Sequence, residues 1–457
     1  MSRVYIIDGK RSYIGVENGM YRHVPAELIG ANVLKELLFQ HDINDVEAVI
    51  AGNAVGAGGN IARLMLLEAG LSETIPAMTV DLQCASALAA MDIAAAKIAC
   101  GRANLLIAGG FESSSTAPVR SNNPNHPDFV ADGDNFYKVA KFSPGKREDM
   151  AMLEGAERTA VAEHIRREDL DKWVLRSHSL AVKARAEGVL NDVIVQVAEG
   201  ADRDEGIRSR MSERLLAKVP VLLPQGQVLT VANTCLTNDG AAFVELASEQ
   251  YVSEHCIRPL AELVDVVMTG GDPLMSPKTA VLAIEKLLKK HNMTSEDIDV
   301  FECNEAFAVI DELFMRAYPD AVDRYNIFGG ALAYGHPYGA SGGIITLHLL
   351  EALKRCSGRY GAASVAAAGQ QNALGCVVAD EVVVVHVLSD DAGDAAGVVF
   401  LQLGQADLEV HIVAQLADVV QQQLVAGCAG AAVVGVLDLG VHIVGVVLGV
   451  LGGPSCL

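Results

Sequence analysis

Residues 85–110 read ASALAAMDIAAAKIACGRANLLIAGG: an Ala-rich helix, a Cys-Gly-Arg stop and an apolar strand. The same plan returns at 340–369, ASGGIITLHLLEALKRCSGRYGAASVAAAG, with Cys-Ser-Gly-Arg at the stop. A second pair precedes these. Residues 25–53, PAELIGANVLKELLFQHDINDVEAVIAGN, and 277–304, PKTAVLAIEKLLKKHNMTSEDIDVFECN, each run Pro, amphipathic helix, His, short strand and terminal Asn. Two segments repeating in the same order at a separation of about 250 residues predict two βαβ-rich halves from a duplication. The helix at 85–100 carries small apolar residues on nearly every face, so it is expected to be buried on all sides, with Gly101 as its stop. A helix buried between two sheets implies a layered α/β architecture with a central helical layer.

Composition bounds the rest. The chain has 457 residues, 51% of them hydrophobic and 20% charged, with a mean hydropathy of +0.28. Such a chain suits two or three folded domains and excludes global disorder. A net charge of −22 argues against nucleic acid and anionic membranes as partners. The charge is uneven: residues 360–457 contain no Lys or Arg but nine acids, so about −13 belongs to the first 359 residues. Nine scattered cysteines without a C-x-x-C pair fit a reducing cytosol and argue against structural zinc. The first residues, MSRVYIIDGKRS, read as a strand rather than a signal peptide.

Cys84 stands between the strand-like run IPAMTVDL and the Ala-rich helix. A thiol at a helix N-terminus meets the positive end of the macrodipole, which favours the thiolate; a small buried hydrophobe is the alternative. His336, in GGALAYGHPYGASGG, is held between glycines just before a helix that begins near Ala340. It can act as base or as oxyanion donor, or be incidental to a Gly-rich turn. Asn304-Glu305 follows the strand VFEC. Asn304 can fix a water or carbonyl and Glu305 can orient a histidine; a helix N-cap with a first-turn acid fits equally.

Taken together, DLQCASALAA around Cys84, LLIAGGFES, VANTCLTNDGAA, CNEAFA at 303–308 and GGALAYGHPYGASGG at 329–343 resemble the thiolases over about residues 2–377. The resemblance implies a thiolase fold: αβαβα layers with a loop domain inserted in the first half. It implies halves at 1–255 and 256–378, with 118–240 as a coenzyme-A-binding loop region. It also implies acyl transfer between a cysteine and coenzyme A, making or breaking a carbon–carbon bond in a 3-ketoacyl thioester. Cys84 would be acylated, His336 would be its base, and Asn304 would hold a water that completes an oxyanion hole with His336. Backbone N–H groups, including that of Cys84, would form a second hole. Arg208 would meet the nucleotide end of coenzyme A, while Met152 and Cys235 would line the pantetheine and acyl channel. Lys141, Lys146, Arg147, Arg203 and Arg210 would join Arg208 in a local basic patch. The implied partners are acyl-CoA substrates and further copies of the chain, as a homodimer or homotetramer in the cytoplasm. No metal and no tightly bound cofactor is implied.

Departures from the family pattern matter. The position of the family's second catalytic cysteine is Ala366, which cannot transfer a proton, and Cys376 is expected on the following strand, too far to substitute. Gln370-Gln371-Asn372 replaces a glycine-rich stretch, Ala87 stands for a usual Gly and Cys235 for a usual Ser. These changes leave open a replaced active site, a diverged acyltransferase that has lost condensation, an acyl-CoA-binding protein, and local sequence damage. A ketoacyl-synthase-like enzyme would need a Cys-His-His set, which Asn304 fits less well. Residues 379–457 have no family counterpart. Residues 424–452 are apolar apart from Asp438 and His442, long enough for a membrane helix, yet with Asp438 central and no cationic flank. A β-rich appendage is a second reading. A frame-shifted end, which would abolish the last one or two core strands, is the preferred one.

Overall fold

A computed structural model describes residues 2–38, 45–141, 144–145, 147, 149–367 and 373–379, and beyond them four short strands. The first half begins with β1 (Val4–Ser12), α1 (Ala26–Leu37), β2 (Ala48–Gly52) and α2 (Ile61–Glu68). It continues through β3 (Ala77–Val80), α3 (Ser86–Ala99) and β4 (Leu105–Ser113). A long excursion carrying α4 (Ala151–Ala162) and α5 (Arg167–Glu187) follows, and β5 (Asn238–Ser248) returns to the sheet. The second half runs β6 (Ala261–Thr269), α6 (Lys278–His291), β7 (Val300–Cys303), α7 (Ala308–Ala317), α8 (Ser341–Cys356), β8 (Tyr360–Ala366) and β9 (Ala373–Ala379).

The duplication is explicit in the sheets. The first has the order β1-β5-β4-β2-β3 and the second β6-β9-β8-β7. Equivalent neighbours share a sense: β1/β5 and β5/β4 are antiparallel and β4/β2 parallel, as β6/β9 and β9/β8 are antiparallel and β8/β7 parallel. β1 and β6 join the sheets through Tyr5 opposite Glu262 and Ile6 opposite Ala261. Among the described residues the halves differ in the extra strand β3 of the first and in one connection. Between β4 and β5 the chain makes its long excursion, whereas the equivalent β8 and β9 are joined by a short link.

The helices follow from periodicity. Ile29, Val33, Leu34 and Leu37 of α1, and Ala280, Ile284, Leu287 and Leu288 of α6, fall on one face of each helix and are buried. α1 packs on the first sheet and α6 on the second, while α3 and α8 touch strands of both. The layering is therefore αβαβα. α3 is buried on all sides only in its first half. Ala96 and Lys97, in its last turn, are exposed. Gly101 has φ +68, the left-handed geometry of a helix stop.

The central layer is tightly closed. A Cβ on Gly342 of α8 would lie 2.7 Å from the Leu88 backbone nitrogen of α3, and one on Gly110 would overlap the Gly339 carbonyl oxygen. Gly110→Ala is accordingly expected to destabilise the protein by about 3 kcal/mol, because backbone on both sides must move. Chemical denaturation measures it, and an unchanged midpoint would contradict this packing.

Two expectations for the end of the chain are corrected. The last core strand is not lost: β9 lies between β6 and β8, where both flanking strands satisfy its backbone hydrogen bonds. Residues 381–457 form a separate unit, with Val384–Val385 paired to Val399–Phe400 and Val434–Asp438 paired to Ile443–Val447, both antiparallel. Within the apolar run 424–452, where a membrane helix was one reading, the described residues are two paired antiparallel strands, and their Val-rich sequence favours the extended form. Among the described residues no helix is long and apolar enough to cross a membrane. Gln370-Gln371-Asn372 lies outside the described residues.

Candidate active site

Cys84 sits in the turn from β3 into α3, one residue before the helix N-cap Ala85, and is 7% exposed. The turn depends on Gln83, a non-glycine residue at φ +51. Asp81 holds it there, accepting from the Gln83 backbone N–H and side-chain amide, each at 3.0 Å. Ser86 closes the turn: its hydroxyl donates to the Gln83 carbonyl at 2.6 Å and accepts from Leu82 N–H at 2.8 Å. A strained residue fixed from both sides delivers the next side chain in one orientation.

His336 lies in the loop ahead of α8. Gly335 before it has φ +109, and a Cβ there would strike the Asn238 side chain. Asn238 Oδ1 accepts from the His336 backbone N–H at 2.8 Å, tying the loop to the start of β5. The ring tautomer follows from Ser341. Its single hydroxyl proton goes to the Pro337 carbonyl at 2.9 Å, so Ser341 Oγ accepts from His336 Nδ1–H at 2.5 Å. The lone pair is therefore on Nε2; Asn304 Nδ2 lies 3.2 Å from Nε2 and 3.4 Å from Nδ1, so it faces the ring without singling out one nitrogen. Burial pushes the His336 pKa down to about 3, so the ring is a neutral base at neutral pH.

Several contacts draw the Cys84 and His336 segments together. A Cβ on Gly52 would lie 2.6 Å from the Gly339 carbonyl oxygen and 2.7 Å from Ser86, so the two loops converge over the end of β2. Tyr338 packs edge-on against the His336 ring, 4.9 Å between centroids. Its hydroxyl is raised by burial and, further, by the Cys235 and Cys84 thiols nearby. Cys235 comes from the end of the long excursion. Its N–H donates to the Ala306 carbonyl and the Ala308 N–H to the Asn233 carbonyl, each at 3.0 Å, which lays this segment along 306–308. Burial and the neighbouring Cys84 both push the Cys235 thiol up.

Asn304 is anchored at the end of β7, its N–H donating to the Ser364 carbonyl at 2.9 Å. It is not a helix cap: α7 begins at Ala308 behind the N-cap Phe307. The expectation that Glu305 orients a histidine is also corrected. Its buried carboxylate accepts from Ser177 Oγ at 2.6 Å, Asn326 Nδ2 at 3.0 Å and Leu332 N–H at 3.2 Å. Through Ser177 and Leu332 the carboxylate ties the excursion to the loop that precedes His336.

Three supporting residues escaped the sequence reading: Ser341, Asn238 and Glu112. Glu112 is buried and accepts from Ala54 N–H and Asn53 Nδ2 at 2.9 Å and Gly339 N–H at 3.0 Å, joining a first-half loop to the histidine loop. Burial raises its pKa to about 7 against the pull of those backbone donors. Ser341 and Glu112 sit inside motifs that sequence alone singles out, but nothing local reveals their partners.

The other anticipated residues separate. Met152 and Cys235 border one apolar cluster that also contains Ala306, Phe307, Leu332 and Ala366. Arg208 is exposed, its N–H donating to His178 Nδ1 at 3.2 Å. Lys141, Arg203 and Arg210 are also exposed, Arg203 facing Asp202, while Arg147 pairs with Asp149. Lys146 lies outside the described residues. Ala366 ends β8 opposite Ala373, whereas Cys376 is opposite Ala363 on β9, three pairs further along.

Comparison with known proteins places the chain in a family. Residues 4–250 match the thiolase N-terminal domain and residues 257–379 the thiolase C-terminal domain. A Staphylococcus haemolyticus protein named "Putative acetyl-CoA C-acetyltransferase VraB" is 36% identical over 360 residues, covering 77% of this chain and 92% of its own. The Bacillus subtilis "Putative acetyl-CoA C-acetyltransferase YhfS" is 34% identical over 366 residues, 80% of this chain and 96% of its own. Among solved structures, the Bacillus anthracis acetyl-CoA acetyltransferase aligns with a TM-score of 0.78 at 29% identity, over 83% of this chain and 99% of its own. Human mitochondrial 3-ketoacyl-CoA thiolase aligns with a TM-score of 0.75 at 28% identity, with the same coverage. The chain belongs to the thiolase family, a class of acyltransferases.

Proposed function

We propose that this enzyme transfers acyl groups to and from coenzyme A through an acyl-Cys84 intermediate, acting on 3-ketoacyl thioesters. The observation that carries the reading is the neutral His336, whose Nδ1–H is committed to Ser341 and whose Nε2 is left as the acceptor. Nε2 takes the Cys84 proton, and the thiolate attacks the thioester carbonyl. Coenzyme A leaves as a thiol after the imidazolium returns that proton. Backbone N–H groups at the start of α3 and the His336–Asn304 pair stabilise the oxyanions formed on the way. The excursion 118–240 holds coenzyme A, Arg208 facing its nucleotide end and Met152 and Cys235 its acyl arm.

Ala366 favours a second reading, in which acyl transfer survives and carbon–carbon chemistry is weak. Incubation with acetyl-CoA is expected to add one acetyl mass to the Cys84 peptide, and a folded protein without that label would defeat the proposal. Thiolysis of acetoacetyl-CoA is then compared with that of Ala366→Cys. In this second reading the variant gains roughly 10²-fold or more, the worth of restoring a positioned proton donor. Equal rates would show that position 366 does not limit the reaction.

A further inference from the structure

Carbon–carbon cleavage leaves an electron pair on the α-carbon of a thioester, and a proton must reach it. Among the described residues, the Cys84, Cys235, His336 and Tyr338 side chains converge on the candidate site, and the Glu112 carboxylate near Tyr338 is taken up by Asn53, Ala54 and Gly339. Cys84 is engaged as the nucleophile. The His336 lone pair serves the Cys84 thiol, and the ring faces Asn304. The Tyr338 ring is turned edge-on to His336. Ala366, at the end of β8, has no proton to give. Cys235 remains. It is half-buried, close enough to Cys84 for the two thiols to influence each other, and fixed by its bond to Ala306 two residues beyond Asn304.

We propose that Cys235 is the proton donor and acceptor at the substrate α-carbon, a role distinct from lining the acyl channel; the inference rests on the acyl-Cys84 reading above. In the cleavage direction the Cys84 thiolate attacks the 3-keto carbon. Collapse of the alkoxide breaks the C2–C3 bond and leaves the electron pair on C2 as an enolate. The Cys235 S–H proton passes to C2, giving an acyl-CoA shortened by the acyl group now on Cys84, and Cys235 becomes the thiolate. Incoming coenzyme A gives its thiol proton to Cys235 and, as thiolate, attacks acyl-Cys84, releasing the Cys84 thiolate. Every proton and electron pair is returned. Burial keeps Cys235 protonated at neutral pH, which suits a donor.

The test uses the full chain with Cys235→Ala, Cys235→Ser and Tyr338→Phe, and three readouts: acetylation of Cys84, acetoacetyl-CoA thiolysis, and entry of solvent deuterium into the acetyl-CoA methyl group. Both Cys235 variants are expected to lose thiolysis and methyl exchange by roughly 10²–10⁴-fold, while Cys84 acetylation falls less than about tenfold. Retained acetylation also shows that the variants fold. Cys235 variants with wild-type thiolysis, a wild-type enzyme that acetylates Cys84 but shows neither thiolysis nor exchange, or a selective loss in Tyr338→Phe instead would each overturn the inference. Absence of Cys84 acetylation in the wild-type protein would instead defeat the reading on which it rests.

Discussion

His336→Ala is expected to slow acetylation of Cys84 by roughly 10²–10⁴-fold, the usual contribution of a positioned general base. The pKa of about 3 makes His336 a weak base in isolation, so its value lies in position and in the tautomer. Nδ1–H is spent on Ser341, which leaves Nε2 as the nitrogen that would take the proton and return it in the proposed mechanism. Ser341→Ala should therefore cost about tenfold, the worth of one hydrogen bond that selects the right tautomer. Acetylation kinetics followed by mass spectrometry measure both. Equal rates for His336→Ala and wild type would mean that Cys84 is activated by the helix terminus alone.

The second large effect is on stability against pH. In the unfolded chain His336 titrates near 6.5, and in the folded protein burial holds it near 3. Between those values the unfolded state binds a proton that the folded state refuses, so stability is lost as pH falls below 6.5. Each pH unit costs up to about 1.4 kcal/mol, so at pH 4.5 the loss reaches about 2–3 kcal/mol. Buried carboxyls act in the opposite sense. Burial raises Glu112 to about 7 and Glu245 to about 8, so each gains stability as pH falls through that range toward 4.5. The wild-type curve alone therefore mixes opposing effects. The difference between wild type and His336→Asn isolates the histidine: relative to the variant, wild type should weaken by about 2–3 kcal/mol between pH 7.5 and 4.5. Denaturant unfolding at the two pH values measures it, and a constant difference would contradict the buried neutral ring.

Local sequence was informative where a function is built from neighbours in the chain. Gly335 beside His336, Cys84 against the first turn of α3 and Asn304 at the end of β7 were legible because strand-to-helix junctions announce themselves through glycine and periodicity. Glu305 was misread for the converse reason. It follows Asn304 directly and reads as a helix start, yet its partners Ser177 and Asn326 are 128 and 21 residues away. Glu112 lies within LLIAGGFES, but nothing local reveals its role, because Gly339, one of its donors, is 227 residues distant. The burial of α3 was overstated because uniformly small side chains permit burial on every side without requiring it. The apolar stretch 424–452 was ambiguous because length and hydropathy alone do not distinguish a helix from a hairpin.

By itself the sequence determined the duplicated α/β plan, since helix and strand periods and their stops are properties of consecutive residues. It also marked Cys84, His336 and Asn304 as reactive residue types at element ends, while Ala366 stood out only through the family resemblance. Tertiary structure alone decided which of them meet. The approach of α3 and α8 through Gly52, Gly110, Gly339 and Gly342 places the Cys84 turn beside the histidine loop. Ser341 selects the tautomer, and the returning excursion brings Cys235 to Cys84. The physical reason is desolvation. Burial makes His336 a neutral base and Cys235 a protonated thiol, and burial arises only when segments far apart in the chain close over them.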